Sequence, residues 1–330
     1  MSRYSPRHFQ LPDDDCFPGE EASAGNPSPV APYIFSRTAL IAVDVALATE
    51  RPLLVAGPPG CGKSRLAETM AAVLKWSFVR QTITSRTRCE QLTVEVDHLR
   101  RLNDAHRAAR ADAHVLLKRD REYYNPGIFW WAFDPRSAEL RGLPEFQPPR
   151  NKARFPGLAR PAAAGEPPAT VVLIDEIDKA EPDLPNDLLE PLDRRSFGLP
   201  DNTTLTADPR AKLLTIITTN GERELPQAFI RRCVTLRLEE PTRDGLIAIA
   251  AVRAREAEPA LVAAVADKIL ALRDELKDSG RRPPGTSEFL DAVLTCHGLA
   301  IGVDSEVWQE VEQATLRKPM LREDERSGRA

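Results

Sequence analysis

The chain lacks three features that would narrow its class at once: a long hydrophobic run, a regular set of cysteines and an excess of one charge. Its apolar runs, such as 213–217 and 246–252, are far shorter than the roughly 20 residues that span a bilayer. The five cysteines are an odd number without CxxC spacing, which argues against a disulfide framework and a zinc site. With 45 Lys and Arg against 49 Asp and Glu, the net charge of −4 does not favour a nucleic-acid binder.

A secretory signal is also missing from the beginning of the sequence, since no apolar segment follows its charged first residues. We therefore expect a cytoplasmic protein with no membrane span. What is present is an ordinary globular composition, with hydrophobic residues forming 42% of the 330. Residues 1–31 depart from it, because they are acidic, rich in Pro, Ser and Gly, and poor in apolar anchors. They are predicted to be a disordered tail.

Beyond residue 31 the hydrophobic pattern alternates between strand-like and helix-like segments. Short apolar runs lie at 52–57, 78–83, 171–174, 213–217 and 234–238, and helical spacing occupies most of the intervals. This alternation predicts an α/β fold with a mostly parallel sheet. After Pro241 only helical patterns remain. We therefore expect a core domain over 32–239, an all-helical domain over 240–316 and a polar, frayed tail over 317–330.

Three segments inside the core domain have simpler interpretations than functional ones. Residues 97–121 predict an amphipathic helix whose arginines form a solvated face, and a nucleic-acid contact is the alternative. The seven prolines of 142–170 predict a surface insertion without a core. The aromatic residues between 123 and 133 favour core packing, and a loop that grips a substrate is the alternative.

The strongest chemical signal is GPPGCGKS at 57–64, which directly follows an apolar run and precedes a helical pattern. Its glycines let the backbone curl so that successive N–H groups and a helix N-terminus converge on phosphates. Lys63 would neutralise the β- and γ-phosphates, and the Ser64 hydroxyl would bind magnesium. The candidate nucleotide-binding residues are Gly57, Pro58, Pro59, Gly60, Cys61, Gly62, Lys63, Ser64, Arg65 and Asp175.

A second signal is VVLIDEIDK at 171–179, where four apolar residues deliver Asp175 and Glu176 to the end of a buried strand. Asp175 would hold the magnesium ion together with Ser64, and Glu176 would align and deprotonate the attacking water. A strand ending in a solvated acidic turn is the alternative. Asp178 and Lys179 are expected to have surface roles or to pair locally.

Two further candidates follow the run at 213–217. Asn220 ends LLTIITTN, where its amide could hydrogen-bond the lytic water or the γ-phosphate, although Asn220-Gly221 by itself is also a turn signal. Arg231 and Arg232 come just before the next apolar run. Such a pair could reach the γ-phosphate of a neighbouring subunit, and inert surface arginines are the alternative.

Taken in this order, these motifs resemble the AAA+ ATPases and, more narrowly, their MoxR-like branch. The segments that carry the resemblance are PGIFWWAF, LIDEIDKAEPDLPNDLLEPLD and TTNGERELPQAFIRRC. It implies a P-loop αβα sandwich with a five-stranded parallel sheet, followed by a helical lid. It also implies magnesium-dependent ATP hydrolysis in a ring, typically a hexamer, that remodels a protein partner, often one with a von Willebrand factor A domain.

The resemblance assigns roles to single residues. Lys63 and Ser64 match the Walker A pair, Asp175 and Glu176 match the Walker B pair, Asn220 matches sensor 1, and Arg232 matches the finger that acts on a neighbouring subunit. The sensor 2 position departs from the family pattern, because RRPPGTSEFLD places Glu288 and Phe289 where the family has an arginine. Arg281 and Arg282 are the possible substitutes there.

Three hypotheses therefore stay open. The first is the ring-forming ATPase just described. The second is a slowly hydrolysing, nucleotide-gated scaffold or regulatory or defence component, suggested by the altered sensor 2 position. The third is a nucleic-acid-stimulated motor, which depends on the arginines of 97–121 and has the weakest support.

Overall fold

The computed structural model describes residues 4–11, 16–17, 33–110, 119–158, 166–276 and 282–317. These residues form two compact units. The first contains 4–11, 16–17, 35–56 and the described residues of 63–237, and the second contains 33–34, 57–62 and the described residues from 238 onward.

The strands and helices are named in chain order. The strands are β1 (Cys16–Phe17), β2 (Tyr33–Ile34), β3 (Leu53–Ala56), β4 (Ser77–Thr82), β5 (Val94–Val96), β6 (Tyr124–Pro126), β7 (Ala169–Asp175), β8 (Ser196–Gly198), β9 (Thr204–Thr206), β10 (Lys212–Thr219) and β11 (Val234–Arg237). The helices are α1 (Arg37–Thr49), α2 (Lys63–Leu74), α3 (Cys89–Leu92), α4 (His98–Arg110), α5 (Ile128–Phe133), α6 (Pro135–Glu139), α7 (Leu184–Asp187), α8 (Leu189–Arg194), α9 (Gln227–Ile230), α10 (Arg243–Arg253), α11 (Pro259–Leu276), α12 (Thr286–Gly298) and α13 (Trp308–Thr315).

A five-stranded sheet forms the centre of the first unit. Its strand order is β11-β3-β10-β7-β4, and every pair of neighbours is parallel. The fold-class prediction of a P-loop α/β domain with a five-stranded parallel sheet is thereby confirmed. Because the strands are parallel, the ends of β3, β7 and β10 lie along one edge of the sheet, and the residues that follow them are brought together there.

Burial of apolar side chains holds this unit together. The inner strand β7 is buried from Thr170 to Asp175, as its uninterrupted apolar run requires. The aromatic residues of α5 are also in the core, since Phe129 and Trp130 are fully buried. The Trp130 indole N–H donates to the Ser137 hydroxyl at 3.2 Å. The core interpretation of this aromatic cluster is confirmed.

Residues 4–11 correct part of the predicted disordered tail. Phe9 is buried, and Asp44 of α1 accepts hydrogen bonds from the Tyr4 hydroxyl and from the backbone N–H of Arg7 and His8. This contact was not predicted, because Asp44 lies in an apolar helical pattern and its partners are about 36 to 40 residues away. The rest of 1–31, apart from 16–17, lies outside the described residues.

Two other expectations for the first unit hold only in part. Helix α4 covers 98–110 of the predicted helix, but Leu99 and Leu102 are 75% and 55% exposed, so its apolar side is not buried.

Residues 142–158 contain no regular helix or strand. Even so, Phe155 packs edge-on against Trp131, and Leu158 pairs with Phe78 through backbone hydrogen bonds, so this insertion does contact the core. Residues 111–118 and 159–165 are outside the described ranges.

Helices α10 to α13 form a separate apolar core in the second unit, with Phe289 and Val293 fully buried. Helix α10 begins where the Thr242 hydroxyl accepts the Gly245 N–H, the usual arrangement at a helix N-cap. Arg273 is buried beside them, and its guanidinium donates to the carbonyls of Pro284 and Pro241. None of the helices in the described ranges combines the length and apolarity that crossing a membrane requires.

Candidate functional site

The loop between β3 and α2 has the backbone form that its glycines allow. Gly60 has φ of 84° and Gly62 has φ of 95°, a region that side chains with a Cβ rarely adopt. Within the loop, the Cys61 N–H donates to the Pro58 carbonyl at 3.4 Å. Helix α2 starts at Lys63, so its first unpaired N–H groups follow this turn directly. A turn of this kind at a helix N-terminus is suited to anionic groups.

Lys63 and Asn220 are in contact, although they are 157 residues apart in the sequence. The Lys63 ammonium donates to the Asn220 amide oxygen at 2.8 Å, and Lys63 is only 7% exposed. Asn220 reaches this position because it follows β10, the strand that pairs with β3. The contact places the predicted phosphate-binding cation next to the predicted polar residue at the neighbouring strand end.

Asp175 is the most heavily bonded carboxylate of the site. It accepts from the Ser64 hydroxyl at 2.8 Å and from the Thr218 hydroxyl at 2.6 Å, and its second oxygen accepts from the Arg80 guanidinium at 2.5 Å. Asp175 is 3% exposed. Because a hydroxyl and a carboxylate oxygen lie within contact of each other, Ser64 and Asp175 fit the hard oxygen ligands that magnesium prefers.

Glu176 has an unusual backbone for a residue with a side chain. Its φ of 62° and ψ of 50° lie in the left-handed region, and its N–H donates to the Thr218 hydroxyl at 2.9 Å. Such strain persists where the surrounding structure enforces it, often at functional sites. The carboxylate accepts from the Lys179 ammonium at 2.8 Å, and this hydrogen bond raises the pKa of Lys179. The prediction of local pairing is therefore right for Lys179.

Asp178 does not lie at the surface, contrary to the sequence-based expectation. It is 2% exposed, and its Oδ2 accepts the backbone N–H groups of Asn220 and Glu222, each at 3.0 Å. Its Oδ1 is buried and has no hydrogen-bond partner among the described residues. Asp178 thus fixes the backbone on which Asn220 stands.

Arg231 and Arg232 lie away from these residues, before the beginning of β11. The Arg232 guanidinium pairs with the Asp193 carboxylate of α8 and donates to the Ala228 carbonyl at 3.0 Å. The backbone around the pair is held by Arg51, whose guanidinium donates to the Arg231 and Arg232 carbonyls. The structure does not bring these arginines to the Lys63 edge of the same chain.

The other sequence candidates have the following contacts. Arg65 pairs with Glu68 one turn further along α2, at 2.7 Å. In the second unit, which includes the 57–62 loop, the Arg282 guanidinium donates to the Pro59 carbonyl at 3.3 Å and lies 3.5 Å from the Glu288 carboxylate. Arg281 is outside the described residues.

Three contributors were missed by the sequence reasoning: Arg80, Thr218 and the buried role of Asp178. Arg80 interrupts the apolar run 78–83, but its side chain on the edge strand β4 is 43% exposed, so this charge by itself did not indicate a contact with Asp175. Thr218 lies near the end of β10, two residues before Asn220, which follows the strand. Nothing in the sequence distinguished Asp178 from a surface carboxylate.

A glycine-rich turn before a helix, a carboxylate at the end of β7 and an amide after β10 together define a P-loop nucleotide-binding fold. The sequence profile of the AAA domain family, dynein-related subfamily, matches residues 52–233. Since this match covers more than half of the chain, the protein belongs to that family of AAA domains.

None of the curated proteins matches the chain, whereas many solved structures do. One of them is a candidate ATPase from Cytophaga hutchinsonii ATCC 33406, with 13% sequence identity and a TM-score of 0.40. The match covers 71% of this chain and 57% of that chain, so it spans less than two thirds of the other protein.

Proposed function

We propose that the protein binds ATP and hydrolyses it with magnesium. The observation that carries this proposal is the single edge of the sheet at which Lys63, Ser64, Asp175, Glu176 and Asn220 meet. In this arrangement the Lys63 ammonium binds the terminal phosphates and Asn220 orients the γ-phosphate or the attacking water. A magnesium ion on Ser64 and Asp175 would neutralise the charge that develops on the β- and γ-phosphates.

Glu176 is the proposed general base. Its carboxylate is paired with Lys179 in the free chain, and both side chains are about a third or more exposed. An exposed pair of this kind contributes little to stability, so the carboxylate can exchange Lys179 for a water molecule at small cost. The hydrogen bond from the Glu176 N–H to Thr218, together with the hydrogen bonds of the neighbouring Asp175, fixes the backbone of Glu176 at the end of β7.

We also propose assembly into a ring, hexameric as in the MoxR-like proteins, that remodels a protein client carrying a von Willebrand factor A domain. The support within the chain is the position of Arg232, at the amino end of β11, while the phosphate site lies at the carboxyl ends of parallel strands. Arg232 would therefore act on a nucleotide held by a neighbouring copy. The client and the MoxR-like branch rest on the sequence resemblance.

Steady-state ATP hydrolysis as a function of protein concentration tests this proposal. We expect turnover that rises steeply with concentration, falls about 10²- to 10⁴-fold in Glu176→Gln and falls as strongly in Arg232→Ala. An equimolar mixture of the two variants should recover part of the activity, because each supplies what the other lacks. Arg136→Ala is the control, because Arg136 is an exposed arginine that pairs only with Glu139 and Glu145 among the ion pairs of the described residues.

Wild-type turnover in Glu176→Gln would contradict the catalytic assignment. Activity that does not return in the mixture would contradict a site shared between copies.

The second candidate is a nucleotide-gated scaffold that hydrolyses ATP slowly. Glu288 favours this candidate. Its carboxylate lies near the 57–62 loop, at the position where the related ATPases have an arginine, and its negative charge would repel bound phosphates. Measuring the size of the assembly with ATP, with ADP and without nucleotide separates the two. Rings that form only with ATP while turnover stays negligible support the scaffold, and robust turnover excludes it.

A further inference from the structure

Two carboxylates and two guanidinium groups meet beside the proposed magnesium site, all within the first unit. The carboxylates belong to Asp175 at the end of β7 and to Glu68 of α2, and the guanidinium groups belong to Arg80 of β4 and Arg65 of α2. Arg80 donates to Asp175 at 2.5 Å, and Arg65 donates to Glu68 at 2.7 Å. The formal charges of this cluster cancel.

Arg80 lies between the two carboxylates. It stands opposite Leu173 in the pairing of β4 with β7, and its guanidinium reaches Oδ2 of Asp175, two residues further along β7. Its other terminal nitrogen, Nη1, is 3.7 Å from Oε1 of Glu68. Glu68 comes one turn after Ser64 on α2, so both residues are on the same side of that helix. Because the Arg80 side chain is 43% exposed, it is free to move the short distance from one carboxylate to the other.

The two oxygens of Asp175 have different partners. Oδ1 accepts from the Ser64 and Thr218 hydroxyls, whereas Oδ2 accepts from Arg80, which compensates the negative charge at contact distance. A divalent cation on Ser64 and Asp175 would have to share this carboxylate with the guanidinium. Repulsion between a guanidinium and a divalent ion on one carboxylate weakens metal binding by at least about 10-fold, even at the dielectric constant of water.

The phosphates of a nucleotide reverse this balance. Their oxygens are hard, negatively charged ligands of the kind that magnesium prefers, so the metal no longer depends on the charge of Asp175 alone. Arg80 has the opposite effect on the phosphates themselves. By neutralising Asp175, it removes a negative charge that would repel them.

We propose that Arg80 makes metal binding conditional on the nucleotide. In the free chain it competes with the divalent ion for Asp175, and it moves to Glu68 when metal and nucleotide bind together. This inference rests on the proposed function, and it makes Arg80 a positioning residue. Since one charge opposes the metal and favours the phosphates, its removal has opposite effects on the two ligands.

Two binding measurements on the full chain test the proposal: Mn²⁺ alone, followed by electron paramagnetic resonance, and a fluorescent ATP analogue in EDTA. Arg80→Gln should bind Mn²⁺ about 10-fold more tightly than the wild type and the metal-free analogue about 3- to 10-fold more weakly. Arg80→Lys should reverse most of both shifts, because it keeps the charge. The Arg136→Ala control should stay within about twofold of the wild type in both measurements.

Glu68→Gln tests the second position of Arg80. In the complex with a non-hydrolysable ATP analogue, this substitution should lower the Mn²⁺ affinity about 3- to 10-fold, because Arg80 then has no carboxylate to move to. In the Arg80→Gln background its effect should fall below about twofold, since Glu68 acts through Arg80. Equal losses in both backgrounds would overturn the movement of Arg80 to Glu68.

Arg80→Gln that shifts the two ligands in the same direction, or shifts neither, would overturn this inference, because loss of a merely structural contact weakens both. The proposed function stands in either case if the wild-type chain binds the analogue and Lys63→Ala does not. Failure of the wild-type chain to bind the analogue, with or without Mn²⁺, would overturn both.

Discussion

Asp44 connects residues 4–11 to helix α1, and the pH dependence of that contact can be worked out from its geometry. Its carboxylate is buried, which by itself raises its pKa. Hydrogen bonds from the Tyr4 hydroxyl, from the backbone N–H of Arg7 and from the ring and backbone of His8 lower it more, to a net value of about 2. We predict that Asp44→Asn releases residues 4–11.

The magnitude follows from the difference between the folded and unfolded pKa values of Asp44. A pKa of about 2 against the ordinary 3.8 corresponds to about 2.4 kcal/mol at neutral pH. The pKa is lowered in the folded state, so this stabilisation is complete above pH 4 and is lost as the pH falls from about 4 towards 2. In the released segment the His8 amide should lose up to about 60-fold of its protection from hydrogen exchange.

Hydrogen exchange of residues 4–11 at neutral pH and near pH 2 measures this directly. Asp44→Asn at neutral pH should exchange these amides as fast as the wild type does near pH 2, after correction for the intrinsic rates. Asp267→Asn is the matched control, because Asp267 accepts from Arg243 on the surface of the second unit. Equal protection in the wild type and in Asp44→Asn would refute the reasoning.

Three other substitutions test contacts of the two units. Thr218→Val removes one of three donors to the Asp175 carboxylate and leaves the Glu176 N–H without its acceptor, which should cost about 1 to 3 kcal/mol in urea unfolding; an unchanged midpoint would show that the hydroxyl is dispensable. Phe129→Ala opens a cavity in the core and should cost about 3 to 5 kcal/mol, whereas Phe146→Ala, at a side chain that is 83% exposed, should be neutral; similar losses would contradict the packing. Arg273→Met removes the donor to two carbonyls and should lower the stability of the helical unit by about 2 to 4 kcal/mol, and a thermal transition at the wild-type temperature would contradict this.

Much of the candidate site could be predicted from the sequence, because the motifs that indicate its residues are short and continuous. The phosphate loop is eight consecutive residues between a strand and a helix, and their glycines determine the turn at Gly60 and Gly62. Asp175-Glu176 comes directly after the apolar run 171–174 and Asn220 comes three residues after the run 213–217, and parallel strands bring such ends to one edge. The cluster of aromatic residues between 123 and 133 likewise predicted the core position of Phe129.

Other features depended on pairing between distant parts of the chain. The strand order places β7 next to β4, and this register sets Arg80 beside Leu173, close enough for its guanidinium to reach Asp175. Sequence patterns indicate that strands exist but not which ones are neighbours, so the partners of Asp175 could not be named. The same holds for Arg232, which the sequence placed before a strand without indicating that Asp193 would hold its guanidinium.

The sequence by itself thus determined the class of fold, the phosphate loop and the acidic and polar strand ends, since each depends on residues within a few positions of one another. Only the tertiary structure decided that Asp178 is buried beneath Asn220, that residues 4–11 bind Asp44 and that Arg80 lies between Asp175 and Glu68. The contacts with Asp178, Asp44 and Asp175 join residues about 36 to 95 positions apart, and their energies depend on distance and burial, which exist only once the sheet has formed.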